Sequence, residues 1–167
     1  MTVILITGGA RSGKSVRAET RVRAFAGRPV YLATAEALDA EMSERIAQHR
    51  ARRGAEWIAR DVALDLAQAL LETDGGGARL VDCLTIWLSN LMHDGRDWAK
   101  EAAGLVEALE AQRSPVVLVT NEVGSGIVPD NALAREFRDA AGLLNQMIAP
   151  AADEVEFVVA GLPMRVK

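Results

Sequence analysis

The sequence predicts an α/β domain of the P-loop NTPase type, a mainly parallel sheet with helices on both faces. Three observations carry this expectation. An apolar, β-branched run over 2–7 passes straight into the glycine-rich turn Gly8-Gly9-Ala10-Arg11-Ser12-Gly13-Lys14-Ser15. Further apolar runs at 30–34, 78–82, 116–120 and 154–160 lack the alternation of half-exposed strands and read as strands covered on two sides. The stretches between them carry apolar residues at helical spacing, and right-handed crossovers lay such helices over a parallel sheet. A chain of 167 residues suits one domain spanning 1–167 and buries roughly 70% of its extended-chain surface, enough for one continuous core.

The turn after the first strand reads as a phosphate cradle. Gly8 and Gly13 bracket four residues ahead of Lys14 and Ser15, the spacing at which a looped backbone turns its N–H groups onto a polyphosphate. Glycine allows positive φ and close approach of the backbone to phosphate oxygens. Lys14 supplies a point charge for the β- and γ-phosphates, Ser15 a hydroxyl for Mg²⁺, and the helix over 15–26, with Val16, Val22 and Phe25 at helical spacing, aims its positive end at the anion. Average residue usage places these four fixed positions by chance in roughly one sequence of this length in a few hundred, and the strand-to-helix context lowers that frequency further.

Composition narrows the partners. Half the residues are hydrophobic, a quarter are charged, and the net charge is −4, so bulk attraction to nucleic acid or anionic lipid is not expected. The single cysteine, Cys83, has no partner for an internal disulfide, and its place in Leu80-Val81-Asp82-Cys83 reads as a buried strand residue, a structural thiol in a reducing compartment. The first residues lack the pattern of a signal peptide, and no apolar run approaches the roughly 18 residues of a membrane span. A cytoplasmic protein with no membrane insertion is expected.

In chain order, a second strand at 30–34 exits through a loop at 34–39, and ligands of open α/β sheets gather at such carboxyl-end loops. A helix follows over 39–53, with Asp39 as N-cap and Leu38 stapling its first turn. Acidic Asp39, Glu41 and Glu44 give way along it to Arg45, His49, Arg50, Arg52 and Arg53, an order that suits the helix dipole. The basic cluster reads either as a solvated helix end or as a phosphate clamp. His49 is correspondingly either a structural histidine or, among arginines that neutralise phosphate oxygens, a neutral nucleophile. A strand at 56–59 and a helix over 62–72 precede Gly75-Gly76-Gly77. The strand at 78–82 then delivers Asp82 where a P-loop protein needs a carboxylate beside Mg²⁺.

A helix over 84–92 places Trp87 in the core and leaves His93 as a surface or capping residue before the Asp94-Gly95 turn. A helix over 97–112, the strand at 116–120, a glycine-rich polar loop over 121–129, a helix over 131–148 and a strand at 154–160 complete the chain. The architecture does not choose between kinase, motor and switch. The length leaves little room for motor appendages, and the guanine-reading Asn-Lys-x-Asp motif of regulatory GTPases is absent.

The motifs together are more specific. Thr7 through Ser15 with Ala18-Glu19, Tyr31-Leu32-Ala33-Thr34-Ala35, Glu41-Met42 leading to Arg45-Ile46 and His49-Arg50, Asp82-Cys83-Leu84-Thr85 with Asn90-Leu91, Thr120-Asn121-Glu122-Val123-Gly124, Gly126-Ile127-Val128-Pro129 and Phe137-Arg138-Asp139 resemble the bifunctional adenosylcobinamide kinase and adenosylcobinamide-phosphate guanylyltransferase family of cobalamin biosynthesis. The resemblance runs from the first strand to the last, and departs at Gly54, where many members have proline after the arginine matching Arg53. It implies phosphorylation of the aminopropanol hydroxyl of adenosylcobinamide by ATP or GTP, then transfer of GMP from GTP through a guanylylated histidine to give adenosylcobinamide-GDP and pyrophosphate. His49 matches that histidine, with Lys14 as the second catalytic residue. The resemblance further implies nucleotide contacts at Gly8 to Ser15, at Thr34, Ala35 and Glu36, at Ala51, Arg52, Arg53 and Gly54, and at Asp61 and Asp82. Mg²⁺ would be held by Ser15 and Asp82, in part through water, and the chain would be a homo-oligomer, a trimer in the family. Glu122 and Asn121 are candidates by position for orienting the acceptor hydroxyl. Two other readings stay open at this point: a P-loop kinase of another small metabolite, and a non-enzymatic nucleotide-binding switch.

Overall fold

The computed structural model describes residues 2–36, 43–44, 46–47, 51 and 53–167. The expected N-cap Asp39, the staple residue Leu38, and Glu41, Arg45, His49, Arg50 and Arg52 lie outside the described residues. Ser43, Glu44, Ile46, Ala47 and Ala51 are helical, within the stretch read as a helix from the sequence.

The described residues form a sheet of seven strands: β1 (Val3–Gly8), β2 (Val30–Ala33), β3 (Ile58–Asp61), β4 (Arg79–Asp82), β5 (Val116–Val119), β6 (Glu154–Val159) and β7 (Leu162–Arg165). The order across it is β3-β2-β4-β5-β1-β6-β7. Every pairing is parallel except β6 with β7. The helices are α1 (Lys14–Arg23), α2 (Leu66–Glu72), α3 (Leu84–Asp94), α4 (Trp98–Glu110) and α5 (Ala132–Ala151). The α/β class and the covering of both faces are as expected.

Because successive strand residues point to opposite faces, the core divides in two. Val3, Leu5, Val30, Leu32, Val81, Val116 and Leu118 pack with α2, α3, α4 and α5 on one side. Ile4, Ile6, Tyr31, Leu80, Val117 and Val119 pack on the other with Ala18 and Val22 of α1 and with Trp57. Trp87 is buried in the larger cluster, as its sequence context suggested.

Helix ends follow their local chemistry. The Asp97 carboxylate accepts from the Ala99 and Lys100 N–H groups, and Asn131 Oδ1 accepts from Ala134 N–H, each satisfying donors that a helix start leaves open. Gly95, at φ 73°, closes α3. Lys167 Nζ donates to the carbonyls of Ala149, Pro150 and Ala152 at the end of α5, a cation at the negative end of the dipole.

The departures from the sequence reading have physical causes. β3 lies at 58–61 rather than 56–59, because a turn at Gly54 closed by Trp57 N–H at 3.3 Å sends the Trp57 ring into the core first. α2 begins at Leu66 rather than 62. Val62 N–H still bonds the Ala33 carbonyl, and the Ala63 and Leu64 carbonyls accept from Asn90 Nδ2 and Trp87 Nε1, which holds 62–64 as a strand exit. β7 was not expected: the Ala160-Gly161 turn has φ 51° and 81°, the two positive values of a type I′ hairpin, without the Asn-Gly or Asp-Gly signature that announces one. No helix among the described residues is long and apolar enough to cross a membrane.

Candidate active site

The parallel strands bring their carboxyl ends to one edge, and the glycine turn leaves β1 there. A Cβ on Gly8 would lie 2.6 Å from the Val158 carbonyl oxygen and 2.6 Å from Ser12 Oγ, closer than real contacts allow, so the loop closes only with glycine. Gly13, at φ 95°, turns the chain into α1 with the hairpin tip beneath it, Gly161 Cα being 3.1 Å from where a Cβ would stand. Ser12 N–H bonds the Gly9 carbonyl at 3.3 Å, Gly161 N–H bonds the Ser12 carbonyl at 2.8 Å, and Glu122 N–H bonds the Gly8 carbonyl at 3.1 Å. The β6–β7 turn and the β5 exit loop thus brace the turn from two sides. No side chain caps the start of α1, so its first N–H groups and its dipole are directed at whatever occupies the loop. The hydroxyls of Thr7 and Ser12 are buried without partners among the described residues.

Lys14 Nζ donates to the Gly9 carbonyl at 3.0 Å, folded back across the loop. Burial lowers its pKa below the ordinary lysine value, while the neighbouring Cys83 and Asp82 side chains pull the other way. Ser15 is half-buried on the first turn of α1, and Ala10 and Arg11 are exposed. Asp82 ends β4. It is in register with Val119, which is in register with Ile6, so one strand separates it from the strand that carries the loop. Its Oδ2 accepts from the Tyr31 hydroxyl at 2.8 Å. Cys83 is buried, and burial pushes its thiol up to about 11, in keeping with an inert structural thiol; it stands at the head of α3 rather than within the strand.

The remaining expected contacts divide. The Thr34 hydroxyl is spent within the protein, donating to the Cys83 carbonyl at 2.8 Å and accepting from Cys83 N–H at 2.7 Å. Ala35 is half-buried and Glu36 exposed just beyond it. Ala33 is in register with Asp61 on one side and Asp82 on the other, so both carboxylates end strands at the same level of the edge. Arg53 is half-buried with its guanidinium carbon 3.3 Å from the Tyr31 ring centroid, whereas Ala51 and Gly54 are exposed. Glu122 Oε1 accepts from Gly124 N–H at 2.6 Å, inside its own loop.

Sequence reasoning passed over two features. Tyr31 was absorbed into an apolar run, although a tyrosine in a buried strand carries a hydroxyl that needs a partner. Thr85, Thr120 and Asn145 form a polar frame beneath the edge: Thr120 Oγ1 donates to Asn145 Oδ1, Asn121 N–H to Thr85 Oγ1, and Asn145 Nδ2 to the Asn121 carbonyl. A separate cavity of about 630 Å³, bordered by Met92, His93, Trp98, Leu133 and Phe137, lies between α3 and α5 and is not lined by the phosphate loop. His93 itself is exposed, as expected.

An apolar strand, a glycine turn that closes only with glycine, a half-buried lysine and a strand-end aspartate one strand away define a P-loop nucleotide-binding α/β protein. A solved structure, that of the flagellar accessory protein FlaH from Methanocaldococcus jannaschii, shares the fold: TM-score 0.54 over 99% of this chain and 78% of that one, at 12% identity. Residues 4–166 match the profile of the cobinamide kinase / cobinamide phosphate guanyltransferase family, and the chain belongs to that family. The bifunctional adenosylcobalamin biosynthesis protein CobP of Pseudomonas aeruginosa is 48% identical, over 98% of this chain and 96% of its own length. The bifunctional adenosylcobalamin biosynthesis protein CobU of Salmonella typhimurium is 42% identical, over 99% of both chains.

Proposed function

We propose that this chain phosphorylates the aminopropanol hydroxyl of adenosylcobinamide with ATP or GTP, then transfers GMP from GTP onto that phosphate through a guanylylated His49. The products are adenosylcobinamide-GDP and pyrophosphate. The observation that most supports this reading is Lys14, half-buried and folded across a glycine loop, in a chain that matches the family over residues 4–166.

In the first transfer the acceptor oxygen attacks the γ-phosphorus, the bond to the β–γ bridging oxygen breaks to release the nucleoside diphosphate, and the hydroxyl proton passes to solvent. Such transfer depends on positioning and charge neutralisation, which Lys14 and the backbone of Gly8, Gly9, Ala10, Arg11, Ser12, Gly13 and Ser15 supply. Thr34, Ala35, Glu36, Ala51, Arg52, Arg53, Gly54 and Asp61 complete the nucleotide contacts. The Ser15 hydroxyl and Asp82 carboxylate are hard oxygen donors suited to Mg²⁺, and no group of three His, Cys, Asp or Glu among the described residues forms a metal cage. These residues fit an ion that arrives with the nucleotide; when bound, it offsets phosphate charge.

In the second transfer a neutral imidazole nitrogen of His49 attacks the α-phosphorus of GTP and the α–β bridging bond breaks, releasing pyrophosphate. An oxygen of the acceptor phosphate then attacks the phosphoramidate phosphorus and the P–N bond breaks, returning the histidine. Splitting the transfer lets pyrophosphate leave before the bulky acceptor phosphate attacks. The same reading makes the chain a homo-oligomer, as in the family. Intact-protein mass spectrometry after incubation with GTP and Mg²⁺ tests the relay: the parent gains the mass of one GMP, and an unchanged mass sinks it.

A further inference from the structure

The chain's single tyrosine occupies the centre of β2 on the smaller core face. It is 5% exposed, and a phenylalanine would fill the same apolar space without bringing a hydroxyl that must be satisfied. That hydroxyl reaches diagonally across the sheet. Tyr31 is in register with Leu80, yet it donates at 2.8 Å to Oδ2 of Asp82, two residues further along β4.

The ring makes a second connection. The Arg53 guanidinium carbon sits 3.3 Å from its centroid, and Trp57 meets it edge-on at 6.3 Å and 81°. Trp57 in turn carries the Arg23 guanidinium at 5.5 Å, which anchors the stack to α1. Among the described residues Arg53 Nη1 is buried without a hydrogen-bond partner, an arrangement that is costly unless an anion completes it. One side chain therefore touches both the strand-end carboxylate and the arginine at the end of the basic segment.

We propose that Tyr31 is a positioning residue of the nucleotide site: its hydroxyl holds the Asp82 carboxylate in one orientation, and its ring seats Arg53 with Nη1 directed to a nucleotide phosphate. The inference rests on the nucleotide-site reading above and adds to it the residue that couples Asp82 to the basic segment. Removing a hydrogen-bond partner that orients a metal-holding carboxylate typically costs about ten- to a hundredfold in metal affinity or activity.

The test uses the full chain and measures GTP affinity by calorimetry across a Mg²⁺ series for the parent, Tyr31→Phe, Tyr31→Leu and Trp57→Phe. Tyr31→Phe keeps the ring and removes the hydroxyl, so the Mg²⁺ concentration for half-maximal GTP affinity should rise about tenfold, and excess Mg²⁺ should restore the parent affinity. Tyr31→Leu should in addition bind GTP several-fold more weakly at saturating Mg²⁺, because Arg53 loses its platform. Trp57→Phe disturbs the packing of the same ring and should leave the Mg²⁺ dependence at the parent value. Thermal unfolding without ligand identifies any variant that does not fold; if Tyr31→Leu is one, Tyr31→Phe alone decides. A parent that responds to Mg²⁺ with a Tyr31→Phe that matches it overturns the role of Tyr31 alone, as does a Tyr31→Phe deficit that is equal at every Mg²⁺ concentration. A parent whose GTP affinity ignores Mg²⁺ overturns this inference together with the ligand role of Asp82.

Discussion

Lys14 is held by its own loop: its ammonium donates to the Gly9 carbonyl and is partly withdrawn from water. A charge kept in place and poorly solvated stabilises a transferring phosphoryl group with little reorganisation, and losing one such group costs on the order of 10²-fold or more in rate. Lys14→Ala should therefore reduce both adenosylcobinamide phosphorylation and GMP transfer by at least about that factor in steady-state assays. Near-parent phosphorylation by a folded Lys14→Ala would place the active site elsewhere. Asp82→Asn preserves shape, and its amide oxygen can still accept from the Tyr31 hydroxyl, but it removes the negative charge that suits a hard cation. Its phosphorylation rate should need more Mg²⁺ than the parent and recover in part when Mg²⁺ is raised. A Mg²⁺ titration superimposable on the parent would make Asp82 a structural strand end.

Each strand has a chemical end and a structural end, and β4 shows both. At its carboxyl end stands Asp82; at its start Arg79, 0% exposed, pairs with Asp74 at 3.0 Å. Burial works against ionisation of Asp74. Hydrogen bonds from Ser114 N–H and from the backbone and side chain of Arg113, with the Arg79 charge, more than offset it and hold the carboxyl well below its ordinary 3.8. Asp74→Ala leaves Arg79 buried and uncompensated, so urea unfolding at pH 7 should show a loss of about 3 kcal/mol. A carboxylate with a depressed folded pKa contributes stability that is complete above the unfolded value and fades as pH falls through the folded one. The gap between parent and variant should accordingly narrow below about pH 3.8; a gap independent of pH would show that the ion pair is not its source. The sequence was informative where the signal is local: the helices opening near Asp97 and Asn131, the Asp94-Gly95 turn and the uninterrupted apolar runs. It was silent on β7, because Ala160 adopts positive φ with no side chain that favours it, and on the true start of α2, which depends on side chains of α3.

Across the molecule, the order β3-β2-β4-β5-β1-β6-β7 gathers residues from five separate stretches onto one edge. The glycine turn after β1 was legible because eight consecutive residues contain it, and the strand-end position of Asp82 because the apolar run before it ends there. The Tyr31–Asp82 and Arg53–Tyr31 contacts were not, since they depend on β2 lying between β3 and β4 and on the turn before β3, neither of which leaves a local pattern. In the proposed function one nucleotide site serves two reactions, only one of which requires a protein nucleophile. Phosphoryl transfer to an alcohol needs no histidine, whereas the GMP relay does. The most direct measurement follows both reactions in His49→Ala, with His93→Ala beside it, using α-³²P-GTP for labelling and adenosylcobinamide for phosphorylation. His49→Ala should lose all label while still phosphorylating adenosylcobinamide, and His93→Ala should label like the parent, with the label released by acid and stable to base as a phosphorus–nitrogen bond requires. Label that persists in His49→Ala, or that survives acid, would contradict the relay.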